Sequence, residues 1–234
     1  MNTIHPSAVV GPGVELGEGN VVGPNVVLLG PLRVGDGNWF GPGVVVGTPP
    51  EIRGAAHGAG WDAPAGEGVV IGDRNVLREG VSVQQGSHRA TRIGDDCFLM
   101  SRVYVAHDDE IGDRATVAAG TTLAGHVRVG AGANLGMGAA VHQRRVVGPG
   151  AMVGMGAVVT RDVPPFAKAF GSPVRLVGVN TVGLQRSGAD EGTVAAIVGA
   201  YGEGRLPQPG LADEAAAAAF RWWDEAAAEK SLLG

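Results

Sequence analysis

Three histidines are the first residues in this sequence whose types and spacing could do chemistry. His107, His126 and His142 fall in three six-residue units whose first residues are 18 positions apart. His107 is followed directly by Asp108. A histidine that is oriented by a carboxylate can act as a general base. The pattern therefore predicts a site in which His107 removes a proton from a substrate.

Two other kinds of chemistry also use histidine. A nucleophilic triad needs a serine or cysteine beside the histidine. The single cysteine, Cys97, occupies a small position in its repeat unit, so we interpret it as structural. A zinc site needs several converging ligands, and the spacing of the histidines favours general base catalysis instead. We therefore predict no metal at this site.

A six-residue repeat must position these histidines. One aliphatic or aromatic residue recurs at every sixth position, and an even period fits the alternation of a β-strand and not the period of a helix. The repeat predicts short strands joined by tight corners. If three units make one turn of the coil, the three histidines stack along one edge. The three runs are Ile4, Val10, Leu16, Val22, Leu28, Val34, Phe40, Val46; then Ile71, Leu77, Val83; then Ile93, Leu99, Val105, Ile111, Val117, Leu123, Val129, Leu135, Val141, Val147, Val153, Val159.

The repeat divides the chain into two parts. Residues 1–165 are predicted to form a parallel β-helix, and breaks in the repeat at 47–70 and 84–92 predict two loops outside the coil. Residues 166–234 are predicted to be a linker and a small C-terminal α-helical region. Helices are expected over 191–201 and 212–230. Trp222 and Trp223, in the second helix, are expected to pack against the rest of the molecule.

Composition excludes several classes of function. The net charge is -5, so a basic surface for nucleic acid is not expected. No stretch is long and apolar enough for a membrane span, and the first residues lack the features of a signal peptide. One cysteine in 234 residues excludes a disulfide framework. We therefore expect a soluble, cytoplasmic protein.

Six short motifs carry a resemblance to a known family. They are IGDRNVLREGVSV (71–83), VAHDDEIG (105–112), TLAGHV (122–127), AVHQ (140–143), DVPP (162–165) and GVNTVGLQRSG (178–188). Over residues 4–190 the chain resembles the UDP-N-acetylglucosamine acyltransferases of lipid A biosynthesis. The resemblance implies a left-handed β-helix with three units per turn, so that the 23 units give between seven and eight coils.

The same resemblance implies an activity and partners. Members of that family transfer a 3-hydroxyacyl chain from acyl carrier protein to the 3-hydroxyl of the nucleotide sugar. They work as homotrimers with sites between subunits and have no tightly bound cofactor. The resemblance therefore implies acyl carrier protein and a nucleotide sugar as the partners of this chain.

Individual residues match positions of known role in that family. His107 matches the general base, Asp108 follows it as in the family, and Gly125 matches the residue whose backbone N–H stabilises the oxyanion. Met155 falls where family members set the length of the acyl chain, and its bulk predicts a chain of medium length. The positions that match substrate contacts are His126, His142, Gln143, Asn180 and Arg186.

The sequence departs from the family pattern where the acceptor is bound. The PQDxK motif of the family reads Pro50-Glu51-Ile52-Arg53-Gly54 here, so its aspartate and lysine are missing. Gln84 and Tyr104 each replace a family histidine, while Val182 and Ser187 replace a glutamate and an arginine. The residues of acyl transfer are thus retained better than those of acceptor recognition.

Three alternatives stay open on the sequence. The first is an acyl-CoA-dependent N- or O-acyltransferase that acts on a different nucleotide amino sugar or another sugar acceptor, because coenzyme A and carrier protein share the pantetheine arm. The second is a non-enzymatic β-helix, which would need no column of histidines. The third is a metal hydrolase like the γ-class carbonic anhydrases, although the close histidine pair of that class is absent here.

Four arginines could form a docking surface for an acidic carrier protein. Arg128, Arg144, Arg145 and Arg161 fall on neighbouring units of the repeat. A cluster of positive charge would attract an acidic partner. We therefore expect charge reversal at Arg144 and Arg145 to raise the KM for the carrier-bound donor only.

Overall fold

The computed structural model of the chain describes residues 1–54, 66–208 and 210–227. Within these ranges the chain forms a parallel β-helix of about 9 turns, which confirms the predicted fold class. In chain order the strands are β1 (Thr3–Ile4), β2 (Val9–Val10), β3 (Val14–Leu16), β4 (Val21–Val22), β5 (Val27–Leu28), β6 (Leu32–Val34), β7 (Trp39–Phe40), β8 (Val45–Thr48), β9 (Val69–Ile71), β10 (Val76–Leu77), β11 (Ser82–Gln84), β12 (Thr91–Ile93), β13 (Phe98–Leu99), β14 (Tyr104–Val105), β15 (Glu110–Ile111), β16 (Thr116–Val117), β17 (Thr122–Leu123), β18 (Arg128–Val129), β19 (Asn134–Leu135), β20 (Ala140–Val141), β21 (Val146–Val147), β22 (Met152–Val153), β23 (Val158–Val159), β24 (Ala167–Phe170) and β25 (Arg175–Val179).

Successive strands belong in turn to three different sheets. The first sheet has the order β1-β4-β7-β10-β13-β16-β19-β22-β24-β25, the second β2-β5-β8-β11-β14-β17-β20-β23, and the third β21-β18-β15-β12-β9-β6-β3. The pairing keeps the repeat in register, so that Val105 lies beside Leu123 and Leu123 beside Val141. Each unit of the sequence therefore supplies one side of the coil.

The interior of the coil holds the aliphatic column and a ladder of amides. The repeat positions at Leu77, Leu99 and Leu123 are completely buried. Along one edge, the backbone N–H of Asn75 donates to the side chain of Asn38, and the N–H of Cys97 donates to the side chain of Asn75. The amide oxygens of Asn38 and Asn75 thus each accept from the next coil, and Cys97 continues the ladder as a structural residue.

The coil extends beyond the predicted boundary at residue 165. Strand β24 pairs in parallel with β22, with Lys168 beside Met152, and β25 then pairs with β24 in the antiparallel sense. The six-residue pattern ends at the two prolines before β24. Ala167 and Ala169 nevertheless alternate with Lys168 and are buried in the core, so they add one more strand to the first sheet. Residues 167–170 and 175–179 are therefore strands and not linker.

Three helices follow the coil in the described part of the chain. They are α1 (Thr181–Arg186), α2 (Glu191–Gly202) and α3 (Glu214–Ala226). Helix α2 confirms the prediction over 191–201, whereas α1 was not predicted. Helix α3 begins two residues later than predicted, because the side chain of Asp213 accepts from the N–H of Ala216 and caps the helix. Residues 228–230 of the predicted helix lie outside the described residues.

Helix α3 covers the outer face of the third sheet. The Trp223 side chain is completely buried against Val146 of β21, and the Arg128 guanidinium of β18 lies 5.2 Å from the ring centre of Trp222. The packing role predicted for both tryptophans is confirmed. In the described ranges, no helix is long and apolar enough to cross a membrane.

Both predicted loops leave the coil where the repeat breaks. The first follows β8 and returns at β9, and residues 55–65 of it lie outside the described residues. The second connects β11 to β12 through residues 85–90. Each loop starts from the second sheet and ends on the third, so both emerge at the edge of the coil that carries His107.

Candidate active site

His107 and Asp108 occupy the corner between β14 and β15. Asp108 has a left-handed backbone with φ of 63°, and its N–H donates to the Thr91 hydroxyl at 2.9 Å. The His107 Nδ1 atom lies 2.7 Å from the Asp108 carboxylate. A proton on Nδ1 that is held by the carboxylate leaves Nε2 free to accept another. The predicted pairing of the His107 ring with the Asp108 carboxylate is present in the structure.

The second loop folds over Asp108 and supplies most of its hydrogen bonds. The Ser87 hydroxyl donates to the carboxylate at 2.6 Å, and its N–H donates at 3.1 Å. The N–H groups of His88 and Arg89 donate to the other carboxylate oxygen, both at 2.8 Å. We call His107, Asp108 and residues 86–89 the dyad corner. The sequence marked this loop as an excursion, but nothing in its composition pointed to Ser87.

These hydrogen bonds set the charge of Asp108. Burial on its own would raise the pKa of this carboxyl. The hydrogen bonds from Ser87, His107, His88 and Arg89 favour the ionised form more strongly, and they hold the pKa of Asp108 well below its usual range. Asp108 is therefore a carboxylate at neutral pH and can orient a protonated Nδ1 of His107.

The neighbouring Asp109 has the opposite character. Burial raises the pKa of Asp109 well above its ordinary value, although its carboxyl accepts from the N–H groups of Val127 and Ala106. Because those two amides belong to adjacent coils, Asp109 ties the corner to the coil that follows. It does not compete with Asp108 for the His107 ring.

Gly125 lies directly against the base in the next coil. A Cβ atom at this position would come within 2.5 Å of His107 Nε2, so only glycine leaves room for the ring. The carbonyl of Gly125 accepts from the N–H of Arg144, whereas its own N–H has no hydrogen-bond partner in the parts of the chain that the structure describes. The position thus combines a free donor with close contact to the base.

The predicted column of three histidines is only partly formed. The His126 ring meets the His107 ring edge-on, with centroids 5.1 Å apart, and its Nε2 is 3.9 Å from Asp108. The exposed His142 ring lies beside the carbonyl of Gln143, and no ring contact links it to the other two among the described residues. The three histidines occupy different positions within their units. Although their units start 18 residues apart, the three side chains are therefore not aligned.

Burial also controls the charge of His126. It lowers the pKa of this imidazole, and the nearby Arg144 guanidinium lowers it further, while Asp108 opposes both. His126 is therefore neutral at pH 7. A neutral imidazole beside the dyad can donate or accept one hydrogen bond to a substrate.

Two family models match parts of the chain. The model described as UDP N-acetylglucosamine O-acyltransferase, domain 2, matches residues 162–229, and the bacterial transferase hexapeptide model matches residues 90–125. A UDP-N-acetylglucosamine acyltransferase structure from Campylobacter jejuni is 30% identical, with a TM-score of 0.70, over 85% of this chain and 83% of that one. The chain belongs to the UDP-N-acetylglucosamine acyltransferase family.

Other members of this family are similar over different lengths. The structure of the Bacteroides fragilis acyltransferase has a TM-score of 0.75 at 28% identity and covers 85% of this chain and 83% of that one. The curated acyl-[acyl-carrier-protein]–UDP-N-acetylglucosamine O-acyltransferase of Aliivibrio fischeri strain MJ11 is 36% identical over 136 residues. That alignment covers 57% of this chain. It spans only about half of the relative, or 52% of the length of that protein.

The remaining residues that the family pattern predicted lie away from the dyad corner. Met155 stands 75% exposed at the corner between β22 and β23. Asn180 caps α1 by accepting from the N–H of Gly183, and it donates to the carbonyl of Gly150 at 2.9 Å, so its amide has a structural role. Arg186 is exposed in the last turn of α1, and Gln143 is exposed beside His142.

Three positions that depart from the family pattern come together in one contact group. The Tyr104 hydroxyl donates to the Glu51 carboxylate at 2.8 Å, and the N–H of Glu51 donates to the buried Gln84 side chain at 2.9 Å. Burial, together with the bond to Glu51, raises the pKa of Tyr104 well above its ordinary value. We call Glu51, Gln84 and Tyr104 the acceptor wall. Three of the residues that depart from the family pattern are therefore in contact with one another.

One set of side chains near the dyad could hold a metal ion. Among the described residues, the ligand atoms of His88, Asp108 and His126 lie within 4.8 Å of one another. These are ligand types that zinc accepts. The same Asp108 oxygen, however, already accepts from Ser87 and lies against His107. A cation would have to displace these donors, so the arrangement suits a proton-transfer dyad better.

An open, basic cleft of about 450 Å³ adjoins the dyad corner. Its lining is two histidines, three arginines and two small apolar residues, and His126 forms the wall nearest His107. The lining residues are His88, Arg89, His126, Arg128, Arg144, Val146 and Ala226. The four arginines predicted as one surface are thus divided. Arg128 and Arg144 line the cleft, whereas Arg145 reaches Asp162 at 3.5 Å.

Proposed function

We propose that the chain is a cytoplasmic acyltransferase that moves a 3-hydroxyacyl chain of medium length from acyl carrier protein to a UDP-N-acetylglucosamine-type nucleotide sugar. The observation that carries the proposal is the His107–Asp108 pair at 2.7 Å, with Gly125 packed against its ring. Relatives with similar structures are named as UDP-N-acetylglucosamine acyltransferases. We further propose a homotrimer, as in the family.

In the proposed mechanism, His107 Nε2 removes the proton from the acceptor hydroxyl. The resulting oxygen nucleophile attacks the thioester carbonyl of the donor, and the Gly125 N–H stabilises the oxyanion that forms. The intermediate collapses by breaking the carbon–sulfur bond. The thiolate of the carrier then takes the proton from the His107 imidazolium, so the base is regenerated and no resident cofactor is consumed.

The electrostatics of the dyad corner support these roles. The carboxylate of Asp108 stabilises the imidazolium that forms when His107 accepts the proton. His126, Gln143 and His142 are proposed to contact the substrate, although Gln143 and His142 are exposed in the single chain. The exposed Met155 is proposed to limit the length of the acyl chain, and Arg186 to contact the nucleotide.

A matrix of donors and acceptors tests the proposal. Acyl carrier thioesters and acyl-CoAs of several lengths would be incubated with UDP-N-acetylglucosamine and related amino sugars, and products identified by mass. His107→Ala should reduce turnover by about 10²- to 10⁴-fold while the protein stays folded. The matched control is His5→Ala, an exposed histidine on the first coil. Turnover by His107→Ala close to that of the unchanged chain would refute the assignment of the base.

A second candidate is an N- or O-acyltransferase that uses acyl-CoA and acts on a different amino sugar. The acceptor wall favours it, because Glu51 presents an exposed carboxylate where the family motif differs. A carboxylate can bind the ammonium group of an amino sugar. The same matrix separates the two by the donor and the acceptor that are used. Hydroxylamine, which cleaves an ester but not an amide, then identifies an N-acylated product.

A further inference from the structure

The arginines that line the basic cleft outnumber the carboxylates that pair with them. Arg89 and Arg128 share one carboxylate, that of Glu110, at 3.1 and 2.8 Å. Arg89 also donates to the backbone carbonyl of Asp108. Arg144 is exposed, and its guanidinium has no ion pair or hydrogen bond within the described ranges of the chain.

The fold holds these charges at fixed positions along one edge. The N–H of Arg144 donates to the Gly125 carbonyl, and Arg144 has a left-handed backbone with φ of 62°. Arg128 lies in β18 with its guanidinium over the Trp222 ring, and the end of α3 at Ala226 closes one side. The cleft is therefore a built feature, in which three arginines and two histidines line the same space.

We propose that the basic cleft binds the diphosphate group of a nucleotide-sugar acceptor, with Arg144 as its main free ligand. The inference rests on the proposed function for the presence of such an acceptor. Guanidinium groups bind phosphate oxygens through paired hydrogen bonds, which the planar group of Arg144 can offer. The cleft would thus supply acceptor affinity that the altered loop motif at residues 50–54 no longer provides.

Distance favours the acceptor over the donor as the source of the phosphate. The cleft begins at His126, whose ring is 5.1 Å from the ring of the base. On a sugar nucleotide, the reacting group and the anomeric phosphate are attached to the same pyranose ring. In a phosphopantetheine thioester, the whole extended arm separates the reacting carbonyl from the phosphate. An anion one side chain away from the base therefore belongs to the acceptor.

Binding measurements on the full chain test the cleft without depending on turnover. The probes are UDP, uridine, inorganic diphosphate and 4′-phosphopantetheine, titrated by calorimetry into the unchanged chain and into Arg144→Gln and Arg144→Lys. UDP should bind the unchanged chain more tightly than uridine does. Arg144→Gln should weaken UDP and inorganic diphosphate by about tenfold, which corresponds to one charge-assisted interaction, and leave uridine unchanged.

Arg144→Lys should restore part of the lost affinity, because it keeps the charge but not the paired geometry. The matched control is Arg102→Gln, an exposed arginine with the same left-handed backbone at another corner of the coil. It should bind all probes as the unchanged chain does. Loss of 4′-phosphopantetheine affinity alone in Arg144→Gln would assign the cleft to the donor and overturn the proposal. Equal affinity of the unchanged chain for UDP and uridine would also overturn it.

The outcome for the cleft is separable from the outcome for the proposed function. Inorganic diphosphate reports on the cleft even if the natural acceptor has another nucleoside. If the donor–acceptor matrix yields no acyl transfer but Arg144→Gln still weakens diphosphate, the anion site stands and the activity does not. If acyl transfer occurs and diphosphate does not bind, the reverse holds.

Discussion

The dyad corner and the acceptor wall face solvent from the same edge of the coil, yet they are built in opposite ways. In the dyad corner the Asp108 carboxylate is fully buried and receives donors from Ser87, His88, Arg89 and His107. In the acceptor wall the Glu51 carboxylate is exposed and is held by the Tyr104 hydroxyl.

Under the proposed function, this difference separates the residues that hold the base in place from the residues that select the acceptor. A base must be held in one orientation, and a buried carboxylate with several donors does this because moving it would leave buried groups unpaired. An exposed carboxylate with one hydroxyl partner can be exchanged at little cost to folding. Retention of the family pattern at the first region and its loss at the second follow from this contrast.

Among changes that keep His107 itself, the largest effect should come from adding one methyl group beside the dyad corner, at Gly125. Gly125→Ala places a Cβ within 2.5 Å of the His107 ring, so the ring must move. Displacing a base by about 1 Å can cost roughly 100-fold in rate, and we expect at least that loss in kcat. Steady-state kinetics on the folded variant would measure it.

The control is Gly199→Ala inside α2, where a Cβ would meet nothing within 4 Å. It should keep full activity and gain slight stability, because alanine favours a helix more than glycine does. Full activity in Gly125→Ala would mean that the base does not work in the position described.

The second effect tests whether the loop holds the carboxylate. Ser87→Ala removes the 2.6 Å hydrogen bond to Asp108 and should lower kcat by about tenfold, with Ser87→Thr restoring most of it. The loss of a hydrogen bond to a buried charge should also lower the free energy of unfolding by about 1.5 kcal/mol at pH 7.

The stability difference between Ser87→Ala and the unchanged chain has a defined dependence on pH. The folded-state pKa of Asp108 is lowered, so its hydrogen bonds stabilise the fold above the ordinary pKa of 3.8 and are lost as the pH falls through the folded value. The difference should therefore be constant near pH 7 and shrink only below about pH 4. Urea unfolding at several pH values would measure it, and a difference that persists at low pH would show a purely steric role for Ser87.

The repeat made the coil predictable from sequence. Its phase runs without a break from Ile93 to Val159, so the strand positions and the corner position of His107 followed directly. The additional parallel strand β24, beyond the predicted end of the coil, was not predictable. The alternating alanines after the two prolines do not continue the period of six.

The surroundings of the base were less predictable, for a geometric reason. Neighbouring residues at a corner point in different directions, so the spacing of units did not reveal that His126 meets the base and His142 does not. Ser87 enters the site through a loop that crosses between coils, and no local pattern marks such a contact. Likewise, the sequence showed that each of the three acceptor-wall residues differs from the family pattern, but it did not show that they contact one another.

A smaller effect is expected at the acceptor wall, and it should fall on substrate affinity. Glu51→Gln and Tyr104→Phe each weaken the 2.8 Å contact at the exposed carboxylate. We expect the KM for the acceptor to rise by roughly three- to tenfold, with the KM for the donor and kcat little changed. Initial rates with each substrate varied in turn would measure this.

Glu15→Gln is the matched control, since Glu15 is an exposed carboxylate that pairs with Arg33 in the first coils. It should leave both KM values unchanged. An equal fall in kcat for Glu51→Gln would instead place this carboxylate in the chemistry, and the contrast between the two regions would fail.

The smallest effect should come from a second serine that also donates to a carboxylate. Ser101 donates to Glu79 at 2.8 Å, and the hydrogen bond from Arg78, with that from Ser101, lowers the pKa of Glu79 to about 2. The pKa of Glu79 is thus lowered like that of Asp108, but the Glu79 side chain is only half-buried, so water can replace the serine. Ser101→Ala should leave activity and unfolding by urea unchanged at pH 7. If Ser101→Ala proved as damaging as Ser87→Ala, burial would not be what distinguishes the dyad corner, and a depressed pKa alone would have to explain both sites.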